Sequence, residues 1–344
     1  MIIDQINIRP YQLSFKKEYI NAKFKINHRE GWIIELHSSG VIGFGDACPL
    51  EGFNEESYSQ AGYGLEGFKF SLSGDDEVEV KELLSLSQAH GESQPSVEFA
   101  IESAVCDLAS KLDGLPLYKY LNRDASESVR VSYYPDSPEK PFDGMVIKLK
   151  IDTRNVFKQI DRIQSIIDQY HGMIKLRLDF NESYDLPRAI RICKMLEGMP
   201  IDYIEQPLPK ESFEDMYELT LHTEIPIAVD EMITDFDSVE KVLESQCADV
   251  FILKPMVIGG ISKTKKIVDI VTSEGKRANI SSLIESNVGR LTYLHMSAAF
   301  EINEECGIAT NTFFKSDISD FPASVKGKVN IYNKPGIALD KINL

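Results

Sequence analysis

The run Ile147-Lys148-Leu149-Lys150-Ile151, and after it Lys175-Leu176-Arg177-Leu178-Asp179-Phe180-Asn181, alternates charged and aliphatic residues. A period of two sends the two kinds to opposite faces of a strand. Where helices cover the aliphatic face, as they do around a barrel, Lys148 and Lys150 point inward, as do Arg177, Asp179 and Asn181. A lone buried lysine costs several kcal/mol, so two together point to chemistry rather than packing. Taken alone, the first run also suits an edge strand with its lysines in water. The strands that follow decide against this. Candidate strands lie at 129–133, 146–151, 173–178, 203–205, 227–230, 250–254, 278–282 and 307–310, with helical stretches between them. The polar residues at their carboxyl ends recur evenly: 29 residues from Lys150 to Asp179, 26 to Glu205, 25 to Asp230, 24 to Lys254 and 27 to Ser281. This spacing predicts an α/β fold, a (β/α)7β TIM-like barrel over residues 126–319. The link from Tyr134 to Gly144 holds Pro135, Pro138 and Pro141, so the first helix is expected to be missing or vestigial.

Residues 1–125 read as a separate α+β domain. Alternation at Lys23–Ile26, Trp32–Leu36 and Gly40–Gly45 predicts a small antiparallel sheet, and Ser96–Leu112 has helical periodicity up to the stop at Asp113-Gly114. The tail, 320–344, is expected to return to this domain through a strand at Val329–Tyr332 and a turn at Pro335-Gly336. At roughly 150 residues per domain, 344 residues fit this division. A net charge of −17 and no run of Lys or Arg argue against a nucleic-acid partner. Five scattered cysteines without a C-x-x-C spacing read as reduced core thiols. With no apolar run of membrane length and no basic-then-apolar amino terminus, the expected location is the cytoplasm.

Asp179, Glu205 and Asp230 end three consecutive strands and would converge on one arc of the barrel mouth. Three such carboxylates repel one another unless a hard divalent cation, Mg²⁺ or Mn²⁺, joins them. The alternative is that they cap the helices that follow. Lys254 ends the sixth strand, opposite Lys150 on the second, which suits removal of a proton next to a carboxylate, with Lys148 lowering the pKa of Lys150. The six histidines show no ligand spacing. Gly259-Gly260 reads as a turn, or as a phosphate site at a helix start.

Together, Lys-x-Lys at 148–150, Leu-Arg-Leu-Asp-x-Asn at 176–181, Ile-Glu-Gln-Pro at 204–207, Asp-Glu at 230–231 and Lys-Pro at 254–255 resemble the muconate-lactonising-enzyme subgroup of the enolase superfamily. The resemblance implies that the first domain caps the barrel. It implies Mg²⁺ on Asp179, Glu205 and Asp230, Lys150 as base and Lys254 stabilising the enediolate from the other side. Asn181, Arg177 and Glu231 are expected around the ligands. Residues 43–53, including Phe53, resemble the loop that closes over substrate, with Asp46 where that loop often has Glu. The stretch 280–289 is similar to that of the dehydratases that form o-succinylbenzoate in menaquinone biosynthesis, which implies Ser281, Ser282, Glu285 and Gly289 near a succinyl carboxylate. The expected partner is therefore a small carboxylate substrate; monomer and homo-oligomer both stay open. Dipeptide epimerase and N-acylamino acid racemase activities are the alternatives within the subgroup. The epimerases carry Asp-x-Asp after the eighth strand, where this chain has Thr310-Asn311-Thr312. A Schiff-base aldolase using Lys254 and a non-catalytic binding protein are the readings outside the subgroup.

Overall fold

The computed structural model describes residues 1–20, 25–72, 77–135, 140–151 and 155–344. Strands β1 (Gln5–Ile20), β2 (Lys25–Ser38) and β3 (Val41–Ala47) form an antiparallel sheet in that order. Of the expected strand at 23–26, Lys23 and Phe24 lie outside the described residues. Helices α1 (Tyr58–Ser71), α2 (Val80–Gly91), α3 (Pro95–Leu112) and α4 (Leu117–Leu121) follow. Pro95 opens α3, where its missing N–H costs nothing. Glycine lets β3 lie directly on α3: a Cβ at Gly45 would stand 1.8 Å from the Ala100 carbonyl oxygen. Ile34, Leu36, Ala100, Ile101, Ala104 and Leu108 fill the space between sheet and helix.

The rest of the chain is the barrel. β4 (Ser128–Arg130) and β5 (Met145–Lys150) are followed by α5 (Val156–Gln169), β6 (Ile174–Asp179), α6 (Leu186–Leu196), β7 (Ile201–Glu205), α7 (Phe213–Thr220), β8 (Ile227–Val229) and α8 (Phe236–Ser245). Then come β9 (Val250–Leu253), α9 (Pro255–Ile258), α10 (Ile261–Ser273), β10 (Arg277–Ile280) and α11 (Asn287–Ala299). β5 to β10 form one parallel sheet in chain order. The first and eighth barrel strands close it through single parallel bridges, Tyr133 to Ile147, Val131 to Cys306 and Ser281 to Gly307, instead of the full strands expected. Between β4 and β5 the described residues contain no helix; Pro138 lies outside them, within 136–139. No described helix is long and apolar enough to cross a membrane.

The tail departs from expectation. Its strands β11 (Ser324–Val325) and β12 (Lys328–Asn330) pair with each other, and β12 pairs with β4 of the barrel, not with the first sheet. The turn and the residues after it do reach the first domain: Ile337 N–H donates to Asp107 Oδ1 at 2.8 Å, Leu117 N–H to the Gly336 carbonyl, and the Lys111 ammonium to the Leu339 carbonyl at 2.6 Å.

A buried carboxylate joins the two units. Glu102 of α3 accepts from the backbone N–H groups of Ile261 at 2.6 Å and Ser262 at 3.0 Å. It therefore occupies the positive end of α10, which rules out the phosphate reading of Gly259-Gly260. Gly260 is required there, because a Cβ would stand 2.0 Å from Glu102 Oε2. Glu102→Ala is expected to lower unfolding free energy by about 2 kcal/mol in urea titration; an unchanged midpoint would contradict this role.

Candidate active site

Parallel register lines up the charges at the strand ends: Lys150 pairs across to Asp179, and Asp179 to Glu205. Asp230 directly follows β8 and Lys254 follows β9, on the far side of the carboxylates from β5. The Lys148 ammonium donates to Glu205 Oε1 at 2.7 Å and lies 3.1 Å from Asp179 Oδ2. Lys150 donates to Asn181 Oδ1 at 3.2 Å and is 3.9 Å from Asp179 Oδ2. Lys254 is ion-paired with Asp230. All three carboxylates are buried. They are not helix caps, since Asn155, Asp185, Ser212 and Asp235 hold the N-cap positions of α5 to α8.

The electrostatics differ from expectation at the lysines. Burial favours a neutral Lys150, but the Tyr19 hydroxyl and Asp179 outweigh it and hold the ammonium above the usual lysine range. Lys148, although paired with Asp179 and Glu205, does pull its neighbour down, but Tyr19 and Asp179 outweigh it. It is Lys254 that burial lowers, to about 7. Burial works against ionised Asp179, yet Lys148 and Lys150 hold it below the ordinary carboxylate range. Glu205 is pushed up by burial and by Asp179.

Glu205 Oε2 is buried with no hydrogen-bond partner. An orphaned carboxylate oxygen beside two further carboxylates is a donor set suited to a hard divalent cation. Elsewhere among the described residues, Asp202, Glu304 and Glu305 bring their oxygens within 4.8 Å of one another. There, two arginines already neutralise the charge: Arg177 bonds Asp202 at 2.7 Å and Glu304 at 3.2 Å, and Arg277 bonds Asp202 at 2.9 Å. Arg177 thus belongs to a network at the amino-terminal end of the strands and does not join Asp179 and Asn181 as expected. Asn181 does join the carboxylates, donating to Glu231 Oε1 at 3.0 Å. Behind them Gln206 Oε1 accepts from the Asp230 backbone N–H at 3.0 Å and steadies that turn.

Phe53, Ser281 and Ser282 line a small cavity, about 40 Å³, with Lys148, Lys150, Asp179 and Lys254. The Lys254 ammonium lies 4.4 Å from the Phe53 ring centroid. A pouch of about 570 Å³ shares the Lys148, Lys150, Tyr19 and Tyr134 wall. Glu285 and Gly289 stand behind the cavity: Glu285 accepts from Ser282 Oγ at 2.7 Å and Leu283 N–H at 2.6 Å, and Gly289 packs on it within α11. Tyr19 and Tyr134 are site residues that motif reading missed. Tyr134 follows the first barrel strand, where the strand-end rule would have found it. Asp46 lies at the seam beyond Glu285, accepting from the Tyr11 hydroxyl at 2.8 Å and from Ser286 Oγ at 2.6 Å.

Acids and lysines thus meet at the carboxyl ends of the barrel strands, the face on which barrel enzymes carry their active sites. The chain belongs to the enolase superfamily: residues 144–341 match the family model described as enolase C-terminal domain-like. Residues 3–108 match the model described as MenC, N-terminal domain. The L-Ala-D/L-Glu epimerase of Bacillus subtilis is 26% identical, over 98% of this chain and 97% of the relative. The N-succinyl-L-Arg/Lys racemase of Bacillus cereus is 20% identical, over 99% and 95%. The dipeptide epimerase of Enterococcus faecalis, solved with Mg and the dipeptide L-Leu-L-Tyr, superposes with a TM-score of 0.88 at 21% identity and covers 100% of both chains.

Burial pushes the Asp46 carboxyl up to about 6 from 3.8. The folded state then binds more protons than the unfolded chain between these values, so its stability falls as pH rises from about 4 to 6 and stays lower above. Asp46→Asn removes this dependence, and the difference between the two pH profiles in urea unfolding is expected to reach about 3 kcal/mol. Superimposable profiles would contradict the assignment.

Proposed function

We propose that the chain is an o-succinylbenzoate synthase, which dehydrates 2-succinyl-6-hydroxy-2,4-cyclohexadiene-1-carboxylate to o-succinylbenzoate. Asp179, Glu205 and Asp230 would hold Mg²⁺, with Mn²⁺ as the other candidate. When bound, the ion supplies stabilisation of negative charge developing on the substrate carboxylate, worth several kcal/mol. Lys150 takes the proton alpha to that carboxylate. With Asp179 committed to a cation, Lys150 loses part of what keeps it protonated here. The Lys254 ammonium balances the developing charge from the opposite side. The carbon–oxygen bond then breaks, and the hydroxyl leaves as water with a proton returned by Lys150 on the same face, giving the aromatic product.

One observation favours this reading over dipeptide epimerisation. The pouch beside Lys150 is lined by Lys16, Lys17 and Arg162, against one carboxylate, Glu18, that is itself paired with Lys25 at 2.8 Å. This surrounding favours an anionic succinyl tail over the ammonium of a dipeptide. The match of residues 3–108 supports the same reading. N-acylamino acid racemisation is the second reading, favoured by the lysines on opposite sides of the carboxylates, each placed to exchange a proton with one face of a substrate. Dipeptide epimerisation would use the same pair.

The test is absorbance at the product's wavelength with the cyclohexadiene substrate and Mg²⁺. Wild type is expected to turn over, chelator to stop it, and Lys150→Ala to cut kcat at least about 1,000-fold. Folded, Mg²⁺-loaded enzyme that leaves this substrate untouched and racemises N-succinylamino acids would overturn the proposal in favour of the second reading.

A further inference from the structure

Two loops that wall the small cavity come from distant parts of the chain. Residues 48–53 leave β3 and bring Leu50 and Phe53; residues 281–284 leave β10 and bring Ser281, Ser282 and Ile284. Arg29, on β2, is bonded to both. Its Nε donates to the Ile284 carbonyl at 3.1 Å, Nη1 to the Pro49 carbonyl at 3.0 Å and Nη2 to the Cys48 carbonyl at 2.7 Å. The side chain is 5% exposed, and among the described residues no carboxylate pairs with it. A buried cation satisfied only by carbonyls is costly as a stability device. Its worth lies in geometry, because a planar guanidinium holds its acceptors at set angles.

One of those acceptors is itself strained. Ile284 has φ +63°, a left-handed conformation that a β-branched residue rarely adopts. Its N–H is held by Ser282 Oγ at 2.9 Å and its carbonyl by Arg29, so the turn is fixed from both ends.

We infer that Arg29 is a positioning residue of the site: its guanidinium sets the separation between the Phe53 wall above Lys254 and the Ser281–Ser282 wall facing it. The inference that this affects turnover rests on the proposed reaction. The latch itself does not.

Two measurements on the full chain separate them. In hydrogen–deuterium exchange, Arg29→Ala is expected to speed exchange in both 47–53 and 281–286 while Mg²⁺ affinity stays within about twofold of wild type. In the dehydration assay, kcat/KM is expected to fall about 100-fold, to recover with dilute guanidinium ion, and to stay low in Arg29→Lys, whose ammonium cannot span three carbonyls. If Arg29→Ala folds poorly, Arg29→Lys, which keeps a cation in the seam but cannot hold all three carbonyls, is expected to speed exchange in the same two segments. Unchanged exchange in both loops, or a kinetic loss that guanidinium does not restore, would overturn the inference. A wild type inactive on the cyclohexadiene would count against the proposed reaction, with the exchange experiment still deciding the latch.

Discussion

Everything at the barrel mouth depends on buried charges compensating one another. Asp179, Glu205 and Asp230 stand together at the strand ends, and Lys148 and Lys254 are driven against them because neither sign survives burial alone. The compensation is incomplete. Glu205 retains an oxygen without a hydrogen bond, and Lys254 has its charge destabilised by its surroundings. A core selected for stability would have replaced such groups with apolar ones. Their retention supports the catalytic role proposed for them.

The scaffold earns that placement through its seam. Glu102 fastens α3 to α10, Arg29 ties the loop after β3 to the turn after β10, and Asp46 bonds Ser286 at the start of α11. These contacts hold the first sheet's loop over the barrel mouth, which keeps Phe53 against Lys254. The opposite end of the barrel is closed by arginines and acids that pair with one another.

Alternation makes the inward lysines and the barrel legible in the sequence. Period-two spacing names the face of a strand but not the end toward which a long side chain leans. Arg177 was therefore grouped with Asp179, although it reaches down to Asp202 and Glu304. Which lysine ends up lowered is not legible in the sequence either: Lys148 does pull Lys150 down, but Tyr19 and Asp179, brought beside it only by the fold, hold it up. Strands closed by single bridges, and a tail that pairs with β4, have too few paired residues to leave a pattern. Arg29 left none at all, since its partners are backbone carbonyls, and one of them is 255 residues away.

Asp179, Glu205 and Asp230, compensated by lysines, are proposed as one divalent-cation site. Calorimetric titration of the full chain with Mg²⁺ tests it most directly. One ion per chain is expected for wild type, and no measurable binding for Glu205→Gln at unchanged fold. Absence of binding in wild type, or equal affinity in the variant, would contradict it.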